Sequence, residues 1–206
     1  MSTIVEVSVI EDNAWRRLVT DWWELSTSSI AAGCYTASYY QFGAGMRFQS
    51  VNVPQGATID LAYIQFKARA GWSGANCRTR ISAEDVDDAA AFADDKDAFD
   101  ARWAARTTAK VDWDNIPAWT QDESGPDTKS PEIKTVIQEI VDRAGWAANN
   151  DIVIFWEDFE DRSTRASYNF RDAYNYGEGT APLLHIEYTA TIPRHGFVMF
   201  QDPAIV

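Results

Sequence analysis

The sequence predicts a mostly β protein, an antiparallel β-sandwich with one main α-helix at about residues 130–143. Three observations predict this fold. Several segments alternate apolar and polar residues with a period of two, as strands with one buried face do. These segments follow one another without interleaved helices, which disfavours a parallel α/β sheet. The length of 206 residues and a hydrophobic content of 46% are sufficient for a substantial core.

The alternation places predicted strands along most of the chain. They fall at 4–10, 46–51, around 62–66, and at 79–83, 106–114, 151–156, 166–171 and 182–188. The first is expected to add a strand at one end of a sheet, with its valines on one face. The Pro-Gln-Gly turn at 54–56 joins two strands into a hairpin. Residues 151–156 are apolar on both faces, which predicts a central strand.

The helix prediction depends on end signals as well as on periodicity. Ser130 is the expected N-cap, with Pro131 at the first helical position. Arg143 is expected in the last turn, and Gly145 is expected to form a left-handed cap. The apolar residues at helical spacing between these ends are Ile133, Val136, Ile137, Ile140 and Val141.

Charge and hydropathy exclude several classes of partner. The net charge of −13 argues against nucleic acid and against an anionic membrane surface, since both attract clustered Lys and Arg. No stretch approaches the ~18 apolar residues of a membrane span, so no membrane insertion is expected. The first residues are acidic where a secretory signal would be basic and then apolar, so no export signal is expected either.

Two cysteines, Cys34 and Cys77, are too few for a disulfide scaffold, and neither has the neighbours of a zinc site. Two buried thiols or a single bridge are both compatible with the sequence. A bridge is favoured if the protein acts outside a cell.

The sequence contains no recognisable catalytic centre, so we expect neither enzymatic activity nor a cofactor. His185 and His195 are its two histidines, and both lie where a solvated side chain is expected. Nucleophile elbows, zinc-protease motifs, phosphate loops and dinucleotide fingerprints are absent. A glycosidase remains open, because it needs only two facing carboxylates.

Acidic residues form two clusters. The first is a candidate site for a structural calcium ion, although its spacing is not that of an EF-hand and a solvated acidic turn is the simpler explanation. Its residues are Glu84, Asp85, Asp87 and Asp88. The second cluster, residues 157–161, precedes Arg162 and Arg165, and local ion pairing is the expected explanation.

Aromatic residues are the strongest candidates for a binding surface, because their faces stack on sugar rings and anchor protein interfaces. Trp113, Trp146 and Trp156 are expected in the core. Residues in loop-like surroundings are candidates for carbohydrate or partner contact: Tyr39, Tyr40, Trp72, Tyr174 and Tyr176. A protein interface is predicted at both ends of the chain, formed by Trp15, Trp22, Trp23, Phe197 and Phe200. For the adjacent pair Trp22 and Trp23, the alternative is that they cap an open end of the sandwich.

Several blocks in a fixed order carry a resemblance to a known family. They read GMRFQSVNVPQGATIDLAYIQF, RISAEDVDDAAAF, RTTAKVDWD and SPEIKTVIQEIVDRAGW, followed by a Tyr-containing segment before APLLHIEY. This order resembles the jelly-roll modules of the DNRLRE type, which are similar to carbohydrate-binding modules and occur in bacterial surface proteins and bacteriophage structural proteins. The resemblance covers roughly residues 26–188. It implies a jelly-roll-like sandwich with a binding or structural role and no shared catalytic centre.

The chain is expected to divide into an N-terminal extension (1–25), the sandwich (26–188) and a docking tail (189–206). Two functional hypotheses follow. The first is a virion structural protein, namely a capsid decoration, fibre-base or tail component at the virion surface. Its partners would be further copies of itself or neighbouring virion proteins. The second is a carbohydrate-binding module or adhesin domain of an extracellular bacterial protein. The two are compatible if a virion protein holds host-surface glycans.

Overall fold

The computed structural model describes residues 1–6, 12–25, 28–72, 74–176 and 180–190. Within these ranges the chain is mostly β and antiparallel, which confirms the predicted fold class. In chain order the strands are β1 (Ser2–Glu6), β2 (Asn13–Arg17), β3 (Trp22–Leu25), β4 (Ser29–Cys34), β5 (Phe42–Val51), β6 (Thr58–Gln65), β7 (Thr79–Ala83), β8 (Val111–Trp113), β9 (Asn150–Glu157), β10 (Asn169–Tyr174) and β11 (Leu183–Thr189).

The strands form two sheets. The smaller has the order β1-β11-β6, and the larger contains eight strands along the path β10-β4-β5-β9-β7-β8, with β2 paired to β5 and β3 paired to β2. Strand β9 lies between β5 and β7 and is buried on both faces from residue 152 onward, which confirms the predicted central strand. In β11, Leu184, Ile186 and Tyr188 are buried while Glu187 is exposed, as the alternation predicts.

The N-terminal segment belongs to both sheets. Strand β1 pairs with β11 at an edge of the smaller sheet, in the register Ser2↔Glu187. Strands β2 and β3 form a hairpin, and β2 adds it to β5 in the larger sheet. The aromatic stretch that the sequence pattern left unassigned is therefore a pair of strands.

The main core lies between the sheets and contains Trp113, Trp146 and Trp156, as predicted. Phe66 packs against Trp156 with ring centroids 4.6 Å apart. A second, smaller cluster surrounds Phe99, which lies on helix α1 (Lys96–Ala104) and contacts Phe155 edge to face at 5.5 Å. Both cysteines are buried free thiols.

Helix α2 spans Lys134–Val141, and the predicted start at Ser130 is wrong. The backbone N–H groups of Ser130 and Ile133 donate to the carbonyls of Ile64 and Ala62, so this segment extends the edge of β6 before the helix begins. The Ser130 hydroxyl accepts a hydrogen bond from the Ile64 N–H at 2.9 Å instead of capping the helix.

The predicted C-terminal signals of this helix also fail. The helix ends at Val141 with Asp142 as its C-cap, so Arg143 lies beyond it. Gly145 does not adopt the left-handed conformation. A Cβ at Gly145 would lie 2.0 Å from Asp87 Oδ2, which makes close approach to that carboxylate the reason for the glycine.

The strand predicted at 4–10 overlaps β1, which spans Ser2–Glu6, and residues 7–10 lie outside the described residues. Two further strand predictions need new limits. The strand predicted at 166–171 begins at Asn169, because Tyr168 has a φ of 66° that an extended strand cannot contain. The one predicted at 106–114 is reduced to Val111–Trp113. The N–H groups of Thr108 and Ala109 donate to the Glu139 carboxylate, both at 2.7 Å, and so do not pair with a strand.

Candidate aromatic cleft

A cleft of about 270 Å³ opens at the surface where the N-terminal hairpin meets β10. We call it the aromatic cleft. Six of its eight lining side chains are aromatic and two are charged: Trp15, Arg17, Trp22, Tyr35, Phe42, Trp72, Phe170 and Asp172.

One wall of the aromatic cleft is built by the β2–β3 hairpin. Arg17 pairs with Trp22 on β3 and with Phe42 on β5, which brings these three side chains together. Trp15 lies edge to face on Phe42 at 5.0 Å and 5.8 Å from Trp22. The rings therefore fix one another, and their orientation does not depend on a ligand.

The opposite wall carries Trp72, which is 46% exposed. Its indole stacks on Tyr168 with centroids 4.8 Å apart and an interplanar angle of 17°. The Gly74 N–H donates to the Tyr168 carbonyl at 2.6 Å. Gly74 is required there, since a Cβ would lie 2.0 Å from Asn169 Oδ1.

Buried Arg171 holds this wall in place. Only 1% of the residue is exposed, and it donates to the carbonyls of Pro117 (2.7 Å), Ile116 (2.5 Å) and Gly74 (3.2 Å). Burial lowers the pKa of its guanidinium. Arg171 thus connects the Trp72 loop to the 116–117 segment through three carbonyls.

Two N–H donors of the hairpin are left without a partner in the described part of the chain. They are the indole Nε1 of Trp15 and the Nε of Arg17. The Arg17 guanidinium lies over the rings of Trp22 (5.1 Å) and Tyr39 (4.7 Å), and burial lowers its pKa. Among the described residues its buried Nε has no hydrogen-bond acceptor.

Asp172 supplies an acceptor in the same cleft. The residue is buried, and burial raises the pKa of its carboxyl, while Arg69 and the Ser29 hydroxyl act in the opposite direction. Arg69 donates to Oδ2 at 3.2 Å. The aromatic cleft therefore combines apolar ring faces with donors on β2 and an acceptor on β10, which is the composition of a small-molecule site.

The five residues predicted for carbohydrate or partner contact lie in different surroundings in the structure. Trp72 lines the aromatic cleft, and Tyr39 lies beside it under Arg17. The ring of Tyr40 is covered by Arg165 at 3.6 Å, and Tyr174 is half-buried with Lys67 at 5.2 Å. Tyr176 is exposed.

The predicted interface tryptophans separate into two groups. Trp15 and Trp22 line the aromatic cleft together with Trp72, so residues predicted for different roles share one site. Trp23 packs on Phe99 at 5.1 Å, and its Nε1 donates to Asp94 at 3.0 Å. Phe197 and Phe200 lie outside the described residues.

Sequence reasoning missed five contributors to the site: Arg17, Tyr35, Phe42, Phe170 and Asp172. Phe42 and Phe170 read as ordinary strand residues, and nothing in their local pattern shows that they form the floor of a cleft. Arg17 could have been noticed in the sequence, because it is a cation between the tryptophans 15 and 22 of a chain with net charge −13.

The four carboxylates predicted for calcium have protein partners. Arg102 makes two hydrogen bonds to Glu84, at 2.9 and 2.6 Å. Arg143 pairs with Asp85 and, at 2.7 Å, with Asp87, and the Asp151 N–H donates to Asp88 at 2.9 Å. In the described ranges no three His, Cys, Asp or Glu side chains converge as metal ligands would.

The second acidic cluster is ion-paired only in part. Asp161 pairs with Arg165, as expected. Glu160 pairs instead with Arg80 and Arg106, which are distant in sequence, and the side chain of Arg162 pairs with Asp112 and Asp114, outside the cluster. Glu157 and Asp158 are buried instead, and the ion-pair expectation is wrong for them.

Burial raises the pKa of Glu157 to about 7 and that of Asp158 to about 6. Glu157 Oε2 accepts from the Phe159 N–H, and Oε1 has no hydrogen-bond partner among the described residues. Asp158 accepts from the N–H groups of Arg162 and Ser163. Glu157 and Asp158 are therefore the members of the second cluster whose pKa is raised.

His185 stacks on Tyr63 at 4.8 Å and lies 3.1 Å from Glu187, on the smaller sheet. His195 lies outside the described residues. No helix within the described ranges has the length and apolar character needed to cross a bilayer.

Fold and site together define a class, an antiparallel β-sandwich with an aromatic cleft on its larger sheet. No family model matches the chain, and a search of curated proteins gave no significant match. The resemblance to DNRLRE-type modules therefore stays a prediction.

Proposed function

We propose that this protein is a non-enzymatic carbohydrate-binding β-sandwich and that the aromatic cleft is its binding site. One observation carries the proposal: two prearranged aromatic walls, with Trp15 and Trp22 on one side and Trp72 on the other, enclose a cleft that also presents Arg17 and Asp172. A sugar ring has apolar C–H faces and a rim of hydroxyl groups. Ring faces and hydrogen-bonding groups in one cleft match both features.

The exposure of Trp72 supports this role. Stacking on Tyr168 covers one face of the indole, and nearly half of the residue is still exposed. An exposed indole that is already stacked on Tyr168 offers stacking area with little loss of conformational freedom on binding.

The polar residues favour binding over hydrolysis. Glycoside hydrolysis uses two carboxyl groups on either side of the scissile bond. Among the side chains that line the aromatic cleft, Asp172 is the single carboxylate in the described part of the chain. The Arg17 guanidinium would donate to hydroxyl or ring oxygens, and Asp172 would accept from hydroxyl groups.

A glycan array followed by isothermal titration calorimetry tests the proposal. The wild-type protein should bind at least one glycan, and Trp72→Ala should weaken that binding by about tenfold or more. Tyr176→Ala is the matched control, because Tyr176 is similarly exposed but does not line the aromatic cleft. Absence of binding to every glycan, or equal losses in both variants, would refute the proposal.

The virion surface is the location that we propose for this binding activity, on the basis of the family resemblance. In that setting the cleft would hold host-surface glycans while other surfaces contact neighbouring virion proteins. Mass spectrometry of purified particles would test this location. Recovery of the protein solely from the bacterial envelope would favour the alternative, an adhesin domain of an extracellular bacterial protein.

A further inference from the structure

We infer that the ligand is a saccharide chain of at least two rings, and that Trp72 lies between two ring-binding positions. This inference rests on the proposed function. A second groove of about 320 Å³ opens beside the aromatic cleft, and we call it the side groove. It is lined by Gly71, Trp72, Gly74, Ser167 and Tyr168.

Trp72 is common to the two cavities. The side groove is at the lower end of the ~300–1,000 Å³ range of ligand pockets, and the aromatic cleft is slightly below it. A ligand that fills one of them reaches Trp72, and a longer ligand can continue past this residue into the other.

The aromatic surface is continuous between the two cavities. Tyr35 contacts Phe170 of the aromatic cleft at 5.2 Å and Tyr168 of the side groove at 5.9 Å. Tyr168 in turn stacks on Trp72. A chain of sugar rings that passes from one cavity to the other would therefore meet aromatic groups at Trp72, Tyr168 and Tyr35.

The side groove is open because three of its lining residues have small side chains or none. Gly71 and Gly74 have no side chains, and Ser167 has a short one. Gly74 cannot be replaced without a clash with Asn169, and this clash keeps that part of the groove free of a side chain. An open groove with a small-residue lining and an aromatic end suits a ring that is joined to a neighbour, because the linkage needs an exit at both sides.

A chain-length series tests the inference. Mono-, di-, tri- and tetrasaccharides of the glycan selected by the array are titrated calorimetrically into the wild-type protein. We expect affinity to rise by up to about tenfold between one ring and the shortest chain that fills both cavities, which is the gain from one additional stacking contact. Beyond that length, affinity should reach a plateau.

Ser167→Tyr provides the matched variant, because Ser167 is exposed and a phenol at this position would fill the side groove. It should abolish the gain with chain length while leaving the affinity for a single ring unchanged. Ser167→Ala should retain both properties.

The outcomes separate the two proposals. If no saccharide of any length binds, the proposed function fails and this inference fails with it. If a single ring binds as tightly as the longer chains, or if Ser167→Tyr retains the gain, the cleft binds sugar and only the two-position inference is overturned. Loss of single-ring affinity in Ser167→Tyr would also overturn it, since the two positions would then not be separate.

Discussion

The indole of Trp72 and the phenol of Tyr168 stack at 4.8 Å, although nearly one hundred residues separate them in the chain. Gly74 makes this contact possible, because its backbone approaches that of Tyr168 closely enough for a 2.6 Å hydrogen bond. Arg171 holds the Gly74 carbonyl from the other side. A surface aromatic is thus positioned by buried polar contacts, and four predictions follow from this and related arrangements.

Gly74→Ala should lower stability and displace the Trp72 wall, whereas Gly71→Ala should leave stability unchanged. A Cβ at Gly74 would lie 2.0 Å from Asn169 Oδ1, whereas one at Gly71 would make an ordinary 3.5 Å contact with the Trp119 carbonyl. We expect Gly74→Ala to lower the free energy of unfolding by about 1–3 kcal/mol and to weaken glycan binding. Chemical denaturation and calorimetry measure the two effects. Equal behaviour of the two variants would contradict the role given to Gly74.

Arg171→Met should destabilise the fold by about 3 kcal/mol, because it removes a buried donor that makes hydrogen bonds to four backbone carbonyls. Arg165→Met is the control. Arg165 is half exposed and pairs with Asp161 at the surface, so its loss should change stability little. Urea denaturation compares the variants, and a similar small change in both would show that Arg171 is not a positioning residue.

Stability should fall as the pH rises from about 4.5 to about 7. Burial raises the folded-state pKa of Glu157 to about 7 from an ordinary value of 4.5, so within this window the folded state holds a proton that the unfolded state has lost. Asp158 acts in the same direction between 3.8 and about 6. Neighbouring Arg106 lowers the pKa of Glu157, while Glu160 and Asp158 raise it.

Glu157→Gln tests this pH dependence, because the amide removes the titration and retains most of the volume. Denaturation at pH 8 should show the variant more stable by up to about 3 kcal/mol, with a smaller difference at pH 4.5. If the wild-type protein and the variant show the same slope of stability against pH, Glu157 does not have a raised pKa.

Chelation should leave thermal stability unchanged. Arg102 and Arg143 already neutralise the carboxylates of Glu84, Asp85 and Asp87. Differential scanning fluorimetry should therefore give the same Tm with EDTA as with excess calcium. A saturable rise in Tm on adding calcium would instead support the calcium site predicted from the acidic cluster.

Alternation predicted the strands whose two faces differ, and an uninterrupted apolar run predicted the central strand β9. In β6 and β11 one face packs on the core and the other meets solvent, so period two is visible in the sequence. The start of α2 could not be predicted in this way. Ser130 and Ile133 have the side chains of a helix start, but their N–H groups are used by the edge of β6, and such a partner is visible only in three dimensions.

The candidate site was predicted in fragments. Trp72 stands out because glycines surround it, and Trp15 and Trp22 stand out as aromatics on a short segment. Their assembly depends on the β2–β3 hairpin and its pairing with β5, since the register Arg17↔Phe42 brings the N-terminal wall to the cleft. Local patterns contain no information on that register, so a contact site and an interface were predicted where the structure has one cleft.

The indole N–H resonances of the nine tryptophans test the central claim most directly, in an NMR titration with the glycan that binds best. The account predicts that Trp15, Trp22 and Trp72 shift together with a single affinity, because all three line the aromatic cleft. Trp113, Trp146 and Trp156 in the core should stay in place. Binding that shifts Trp23 or Trp103 and leaves the three cleft tryptophans unchanged would contradict the assignment of the site.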